Sequence, residues 1–302
     1  MLAEYAGYIF SGISLGSVLL LTALGLAIVY GLMGVINMAH GEFLMIGAYA
    51  TYEVQILFQQ FWPQAFDYYL LFSVPAAFLS AALVGVLLEL SVIRYLYGRP
   101  LETLLATWGV SLFVIQAVRM IFGAQNVEVA NPFWMSGGFP LIGSLILPYN
   151  RIVIIFFSLA VVLMVWWVLS RTRLGLFVRA VTHNRTMAGC VGVPIERTNM
   201  WSFGLGAGIA GLGGCALSQI GNVGPDLGQS YIVDSFMVVV LGGVGQVTGT
   251  VAAALGLGIV NKFLESFMGA VLAKILVLVV IILIIQKRPQ GLFALKGRMA
   301  DN

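Results

Sequence analysis

Apolar and polar positions along this chain alternate over whole membrane spans, not over single helical turns. Apolar runs of about 20 residues, the length that crosses a bilayer's hydrocarbon core, lie near 8–30, 43–61, 69–90, 103–122, 152–170, 200–221 and 269–286. Residues 231–264 break the pattern: YIVDSFMVVVL is followed by GGVGQVTG at 242–249 and then by TVAAALGLGIVNKF. Each glycine weakens a helix by about 1 kcal/mol relative to alanine, and bare backbone inside a membrane is tolerated only beside protein or water. The region reads as two half-helices meeting at a buried break. A polar patch also interrupts apolar sequence at 32–50, LMGVINMAHGEFLMIGAYA. Aligning Gly34-Val35-Ile36-Asn37 with Gly243-Val244-Gly245-Gln246 gives a short internal match, which fits either an internal duplication or coincidence. Interrupted segments in corresponding halves point to a transporter's binding site.

Composition excludes a water-soluble globule. Hydrophobic residues make up 60% and charged residues 9% of 302 positions, against about 25% charge in soluble domains. The mean hydropathy is +1.01. The expected fold is all-α: a polytopic transmembrane helical bundle in one domain over 1–302, with about eight membrane-embedded segments, some discontinuous or re-entrant. No cation precedes the first apolar stretch and no A-x-A site follows it, so that stretch is expected to be retained as a helix and not removed as a signal peptide.

The formal net charge of +3 carries meaning through its placement. Cations cluster at Arg94 and Arg99, at Arg171, Arg173, Arg179, Arg185 and Arg197, and at Lys287, Arg288, Lys296 and Arg298. The positive-inside rule assigns these segments, and with them the C-terminus, to the cytoplasm. The intervening connections carry Glu128 and Asp226 and fall on the opposite face. With helix 200–221 leaving the cytoplasm and helix 269–286 returning to it, 231–264 must begin and end outside. Nucleic-acid binding is not implied. Lys274 and Arg119 near outer helix ends read as side chains reaching the headgroups, and Trp62, Tyr68, Tyr69, Trp166 and Trp167 suit an interfacial aromatic belt.

Catalytic chemistry is poorly supplied. None of the four lysines stands in a G-x-x-x-x-G-K-[ST] loop, His40 and His183 are far apart, and H-E-x-x-H and G-x-S-x-G are absent. No metal and no cofactor is expected. Cys190 and Cys215 suggest neither a disulfide nor a metal motif. On helix 200–221, Gly204, Gly208, Gly211, Cys215 and Ser218 form one stripe of small residues that lets another helix approach closely, either within the chain or at a subunit interface.

The basic segment 171–199 is longer than a connector requires. Within it Val178, Val181, Met187, Ala188 and Val191 alternate with Arg179, Thr182, Asn184 and Arg185, a pattern for one short amphipathic helix at the membrane surface, ended before Pro194. It suits either an anchor on anionic lipid or a dock for a cytoplasmic partner.

YGLMGVINMAHGEFLMIGAYA at 30–50, LGLFVRAVTHNRTMAGCVGV at 174–193 and KRPQGLFALKGR at 287–298 resemble the permeases of branched-chain amino acid ABC importers of the LivH/LivM type, essentially end to end. FGAQNVEVANPFWMSGG at 122–138 and LSQIGNVGPDLGQSYIVDSFMVVVLGGVGQ at 217–246 look like the urea-importing branch of that family. The resemblance implies a non-catalytic subunit of a bacterial inner membrane, with a second permease, two cytoplasmic ATPases and a periplasmic binding protein as partners. It also implies that Arg179, Ala180, Asn184, Met187, Ala188 and Gly192 belong to a motif that docks into an ATPase groove; Arg185 joins them by its charge.

Polar residues inside or beside the interrupted segments are the candidate pathway: Asn37, His40 and Glu42 in the first, Gln246 and Thr248 in the second, with Gln219, Asn222 and Asp234 flanking the outer side. Urea is planar and neutral, with N–H donors and a carbonyl acceptor, so amides and hydroxyls suit it; an amino acid calls for both charge signs. Each residue also has a plain alternative. Asn37 and Gln246 can cap broken helices, and Glu42 with His40 can pair at the cytoplasmic surface. Urea, a branched-chain amino acid or a short amide as cargo, and a stand-alone passive channel, all remain open on the sequence.

Overall fold

The computed structural model describes residues 2–34, 36–142, 145–288 and 291–293; Val35, Lys296 and Arg298 of the readings above lie outside them. Its helices are α1 (Leu2–Met33), α2 (His40–Phe61), α3 (Tyr69–Ser91), α4 (Pro100–Phe122), α5 (Tyr149–Arg171), α6 (Arg173–His183), α7 (Arg185–Cys190), α8 (Ile195–Ser218), α9 (Leu227–Gly242), α10 (Val247–Met268) and α11 (Ala270–Lys287). Among the described residues, seven helices are long and apolar enough to cross a membrane: α1, α3, α4, α5, α8, α10 and α11. Helix α2 is not apolar enough, and α9 is short at 16 residues. The molecule is an all-α polytopic membrane protein, with one addition to the expectation. The 123–148 connection carries an antiparallel hairpin of β1 (Gly138–Ile142) and β2 (Leu145–Pro148).

Two helices form the axis of the bundle. The most apolar window of α1 is 89% buried and that of α8 is 83% buried, against 22% for α4 and α5. An all-round apolar helix belongs in a core, and α8 can be surrounded because its neighbours meet backbone and not side chain. A Cβ on Gly206 would lie 2.7 Å from the Gly25 carbonyl oxygen of α1. Cβ atoms on Gly204, Gly208 and Gly211 would lie 2.7 Å from Val86, 2.6 Å from Phe78 and 2.5 Å from the Ala77 carbonyl oxygen. That stripe therefore faces α3 within the chain.

Helices α1 and α8 run antiparallel, since Leu21 and Thr22 pack on Gly213 while Gly25 and Val29 pack on Gly206. The two most extensive interfaces are α1 with α10 and α3 with α8. The pattern therefore repeats with reversed direction: α1, α2 and α3 correspond to α8, α9 and α10. This corrects the alignment of 34–37 with 243–246. The counterpart of the 34–39 interruption is 219–226, the link from α8 to α9, and the glycine-rich segment corresponds to the link from α2 to α3.

The break at 242–249 also changes character. Gly243 (φ +96°) and Gly245 (φ +77°) form a tight turn that approaches Gly31 near the end of α1. It leads into a full 22-residue α10, so only α9 is short. At this end of the bundle lie Arg94 and Arg99, the arginines of 171–197, and Lys287 with Arg288. Arg94 is 3.7 Å from Glu196, Arg185 stacks on Tyr97, Val181 and Ala188 pack on Leu32, and the Leu292 amide after α11 donates to the Leu241 carbonyl at 2.9 Å. The opposite end carries Asp67, Glu128 and Asp226 and a folded cap, with Val127 bridged to Val223 and the Phe133 amide bonded to Asp67 Oδ1 at 2.7 Å.

Candidate functional site

Helix α1 ends where Gly34 adopts φ +64°, a left-handed conformation that glycine takes without steric cost. The chain then doubles back into the bundle. His40, first residue of α2, reaches the Thr22 carbonyl through Nε2 at 3.2 Å, and Thr22 lies about three turns before the end of α1, roughly 16 Å at 1.5 Å per residue. Helix α2 thus starts deep inside. Helix α9 does the same from the other side, and the two starts meet backbone to backbone: a Cβ on Gly228 would lie 2.6 Å from the Gly41 carbonyl group.

Around this meeting point the polar groups of the interior converge. Asn37 Oδ1 accepts from the Ala39 amide at 3.0 Å, and the Met38 amide donates to Thr107 Oγ1 at 3.1 Å. Ser111 Oγ donates to Glu42 Oε1 at 2.8 Å, and Ser235 Oγ donates to Thr22 Oγ1 at 2.6 Å. Asn37, His40 and Glu42 are at most 2% exposed, yet among the described residues Asn37 Nδ2, His40 Nδ1 and Glu42 Oε2 have no partner. A buried polar atom without a partner is costly, and three of them fall within six residues here. His40 and Glu42 are not a surface pair: one bonds α1, the other α4, both at depth.

The 171–199 segment folds as two helices, α6 and α7, where the sequence suggested one. Asn184 makes the division: its Oδ1 accepts from the Met187 amide at 2.9 Å and caps α7, as Asn does at helix starts. Arg179 donates to the Leu169 carbonyl at the end of α5. Val181 and Ala188 are buried against Leu32, with Ala180 partly buried beside them, and Gly192 ends the unit at φ +86°. Met187 is 64% exposed and Val191 79%. The expected apolar face is therefore split, with Val178, Val181 and Ala188 gripping the bundle and Met187 and Val191 pointing away from it.

A family model described as "branched-chain amino acid transport system / permease component" matches residues 8–285. The chain belongs to this permease family. It is 27% identical to the high-affinity branched-chain amino acid transport system permease protein BraD of Pseudomonas aeruginosa over 96% of this chain and 95% of that one. It is also 27% identical to LivH of Escherichia coli K12, with 94% and 93% covered. A probable LivH of Methanocaldococcus jannaschii is 24% identical, with 91% and 88% covered. No solved structure matches the chain.

In this permease the other candidate residues lie apart from the buried cluster. Gln219 is buried at the acidic end, accepting from the Tyr69 hydroxyl at 3.2 Å and donating to Ser218 Oγ at 3.1 Å, and Asn222 is exposed nearby. Tyr69 is thus part of the interior and not of an interfacial belt. Gln246 belongs to the turn at the basic end and Thr248 to the first turn of α10; Gln246 makes no side-chain cap, though its carbonyl accepts from Thr250 Oγ1 at 2.8 Å. Asp234 pairs with Lys274 at 2.9 Å and Asp226 with Arg119 at 2.7 Å, so both cations bind carboxylates where headgroup contact was expected. Cys190 is exposed and Cys215 buried, and both are free. The sequence reading missed Thr22, Thr107, Ser111 and Ser235. Thr103, Thr107 and Ser111 recur every fourth residue on the buried face of α4, a spacing visible in the sequence.

Proposed function

We propose that this permease is the membrane-spanning half of an ATP-driven importer in a bacterial inner membrane and that it passes urea by alternating access. Two cytoplasmic ATPases, a second permease and a periplasmic binding protein complete the machine, and this chain hydrolyses nothing itself. The observation that carries the reading is the α6–α7 unit. It is capped, anchored on the bundle through Leu32, and presents Met187 and Val191 outward beside Arg185. A lipid anchor has no need of a two-helix platform locked to the end of α5 and α1. On this reading the basic end and the C-terminus face the cytoplasm.

Urea as cargo is supported by the resemblance at 122–138 and 217–246 and by the buried cluster, where hydroxyls, amides and an imidazole outnumber the single carboxylate of Glu42. Weak, replaceable hydrogen bonds suit passage, because a path that binds tightly cannot release. A branched-chain amino acid is the second reading, favoured by the names of the relatives. Uptake of labelled urea by cells with and without this chain, the other subunits present, separates the two. Chain-dependent uptake unaffected by leucine supports urea, whereas chain-dependent leucine uptake without urea uptake moves the cargo to the amino acid.

A further inference from the structure

The permease has 15 Lys+Arg and 12 Asp+Glu in 302 residues, and four of these charges line one cavity of about 220 Å³ between α9, α10 and α11, beside α1. Charges in membrane segments are expensive and concentrate where they are used. Lys274 of α11 is 2.9 Å from Asp234 of α9, and Lys262 is 2.6 Å from Glu265, both on α10. The first pair ties two helices together. The second, whose members stand three residues apart, is an intrahelical pair that supports α10 and ties no helices together, leaving both groups at the cavity wall.

Each charged group has one ionic partner, while a carboxylate can accept about four hydrogen bonds and an ammonium can donate three. The cavity thus offers acceptors and donors with unused hydrogen-bonding capacity in two ion pairs, one bridging α9 and α11 and one on α10, with Asn261 adding an amide. It lies at the end of the bundle opposite the α6–α7 unit. It also adjoins the buried cluster: Asp234 faces the cavity, and the next residue, Ser235, bonds Thr22 on the inner side of α9.

We infer that this cavity is a binding site for a small solute of zero net charge that carries N–H donors at one edge and an oxygen acceptor at the other, and that it receives cargo before the buried cluster does. The inference rests on the transport reading above. Urea places its N–H groups on Asp234 and Glu265 and its carbonyl on the lysines. An amino acid zwitterion places its ammonium and carboxylate on the same groups. The shared chemistry defines the site, and the solute that fills it names the cargo.

Ser230 lines the cavity and is exposed. In a Cys190→Ser background, Ser230→Cys is labelled with a small thiol reagent in the assembled transporter, with urea, leucine or glycerol present at millimolar concentration. Asn261→Cys supplies the same readout from the opposite wall if the first variant fails to fold. The expected result is labelling slowed several-fold by urea or by leucine, not by glycerol, with the protection lost in Asp234→Asn and Glu265→Gln. Unchanged labelling with both solutes, or protection that survives both substitutions, overturns the site. Accumulation of cargo is measured on the same preparation. Protection without accumulation supports the site and sinks the transport reading alone, and accumulation without protection overturns the site alone.

Discussion

The Tyr97 hydroxyl donates to Glu89 Oε1 at 2.9 Å, and the Arg185 guanidinium lies 4.6 Å from the centre of the same tyrosine ring. One side chain therefore touches the buried carboxyl of α3 and the first residue of α7. The hydroxyl also lies 3.7 Å from Met33 Sδ, at the end of α1, where the chain turns back toward Asn37 and His40. Burial, reinforced by the Glu89 carboxylate, raises the Tyr97 phenol above its ordinary value, so it stays protonated and donating at physiological pH.

Tyr97→Phe keeps the ring under Arg185 and removes the donor from Glu89, which is 1% exposed. An unsatisfied buried acceptor costs about 1–3 kcal/mol, so thermal unfolding in detergent should shift downward by that equivalent. Tyr97→Leu removes the stacking as well and should lower the solute moved per ATP hydrolysed, because it removes the Arg185–Tyr97–Glu89 link from α7 to α3. An unchanged ratio would show that this contact transmits nothing.

The Gly41–Gly228 contact leaves no room for a side chain on either helix. Gly41→Ala or Gly228→Ala should cut the yield of folded permease sharply, while Gly256→Ala and Gly109→Ala, with open space at their Cβ positions, should be tolerated. Yields by fluorescence-detected size exclusion compare all four, and equal yields would contradict the close approach.

Ser111→Ala takes from Glu42 the hydroxyl that satisfies it, at a cost of about 1–3 kcal/mol. Glu42→Gln retains a group that accepts from Ser111 and should fold normally. If the cluster lines the path, Glu42→Leu should lower uptake at least tenfold in membranes holding wild-type amounts of the chain. Uptake at the wild-type level would exclude Glu42 from the path.

How much of this was legible in the sequence differs by feature. Six of the seven apolar runs fall on candidate spans, and most of the cations gather at one end, because lipid imposes those patterns on any chain; α2 (43–61) is not apolar enough to count, and α10, read as a half-helix, is a full span. The depth of α2 was not legible. His40 and Glu42 look like surface residues when counted from the start of a polar stretch, and only the doubling back after Gly34 carries them inward. The reversed repeat was also hidden, since 34–39 and 219–226 share a position in the fold but differ in length and in most of their residues. Thr22 and Ser235 bond across 213 positions of chain, a pairing that periodicity within one helix cannot reveal.

Asn184→Ala removes the α7 cap, a loss of about 0.5–2 kcal/mol, and Met187→Asp places a charge on the exposed apolar tip. Both should leave the membrane helices intact, with unchanged detergent melting of the bundle. Both should weaken co-purification of the ATPases, Met187→Asp the more. Full retention of the ATPases by Met187→Asp would remove α7 from the docking surface.

The central claim is ATP-driven import, and proteoliposomes test it directly. The complete transporter is reconstituted with its binding protein and labelled urea in the lumen corresponding to the periplasm, and ATP is supplied on the face that exposes α6 and α7. The account predicts that urea is carried to the ATP side above its starting level, only with hydrolysable ATP and only with this chain. Equilibration at the same rate with and without ATP would contradict it and make the permease a channel.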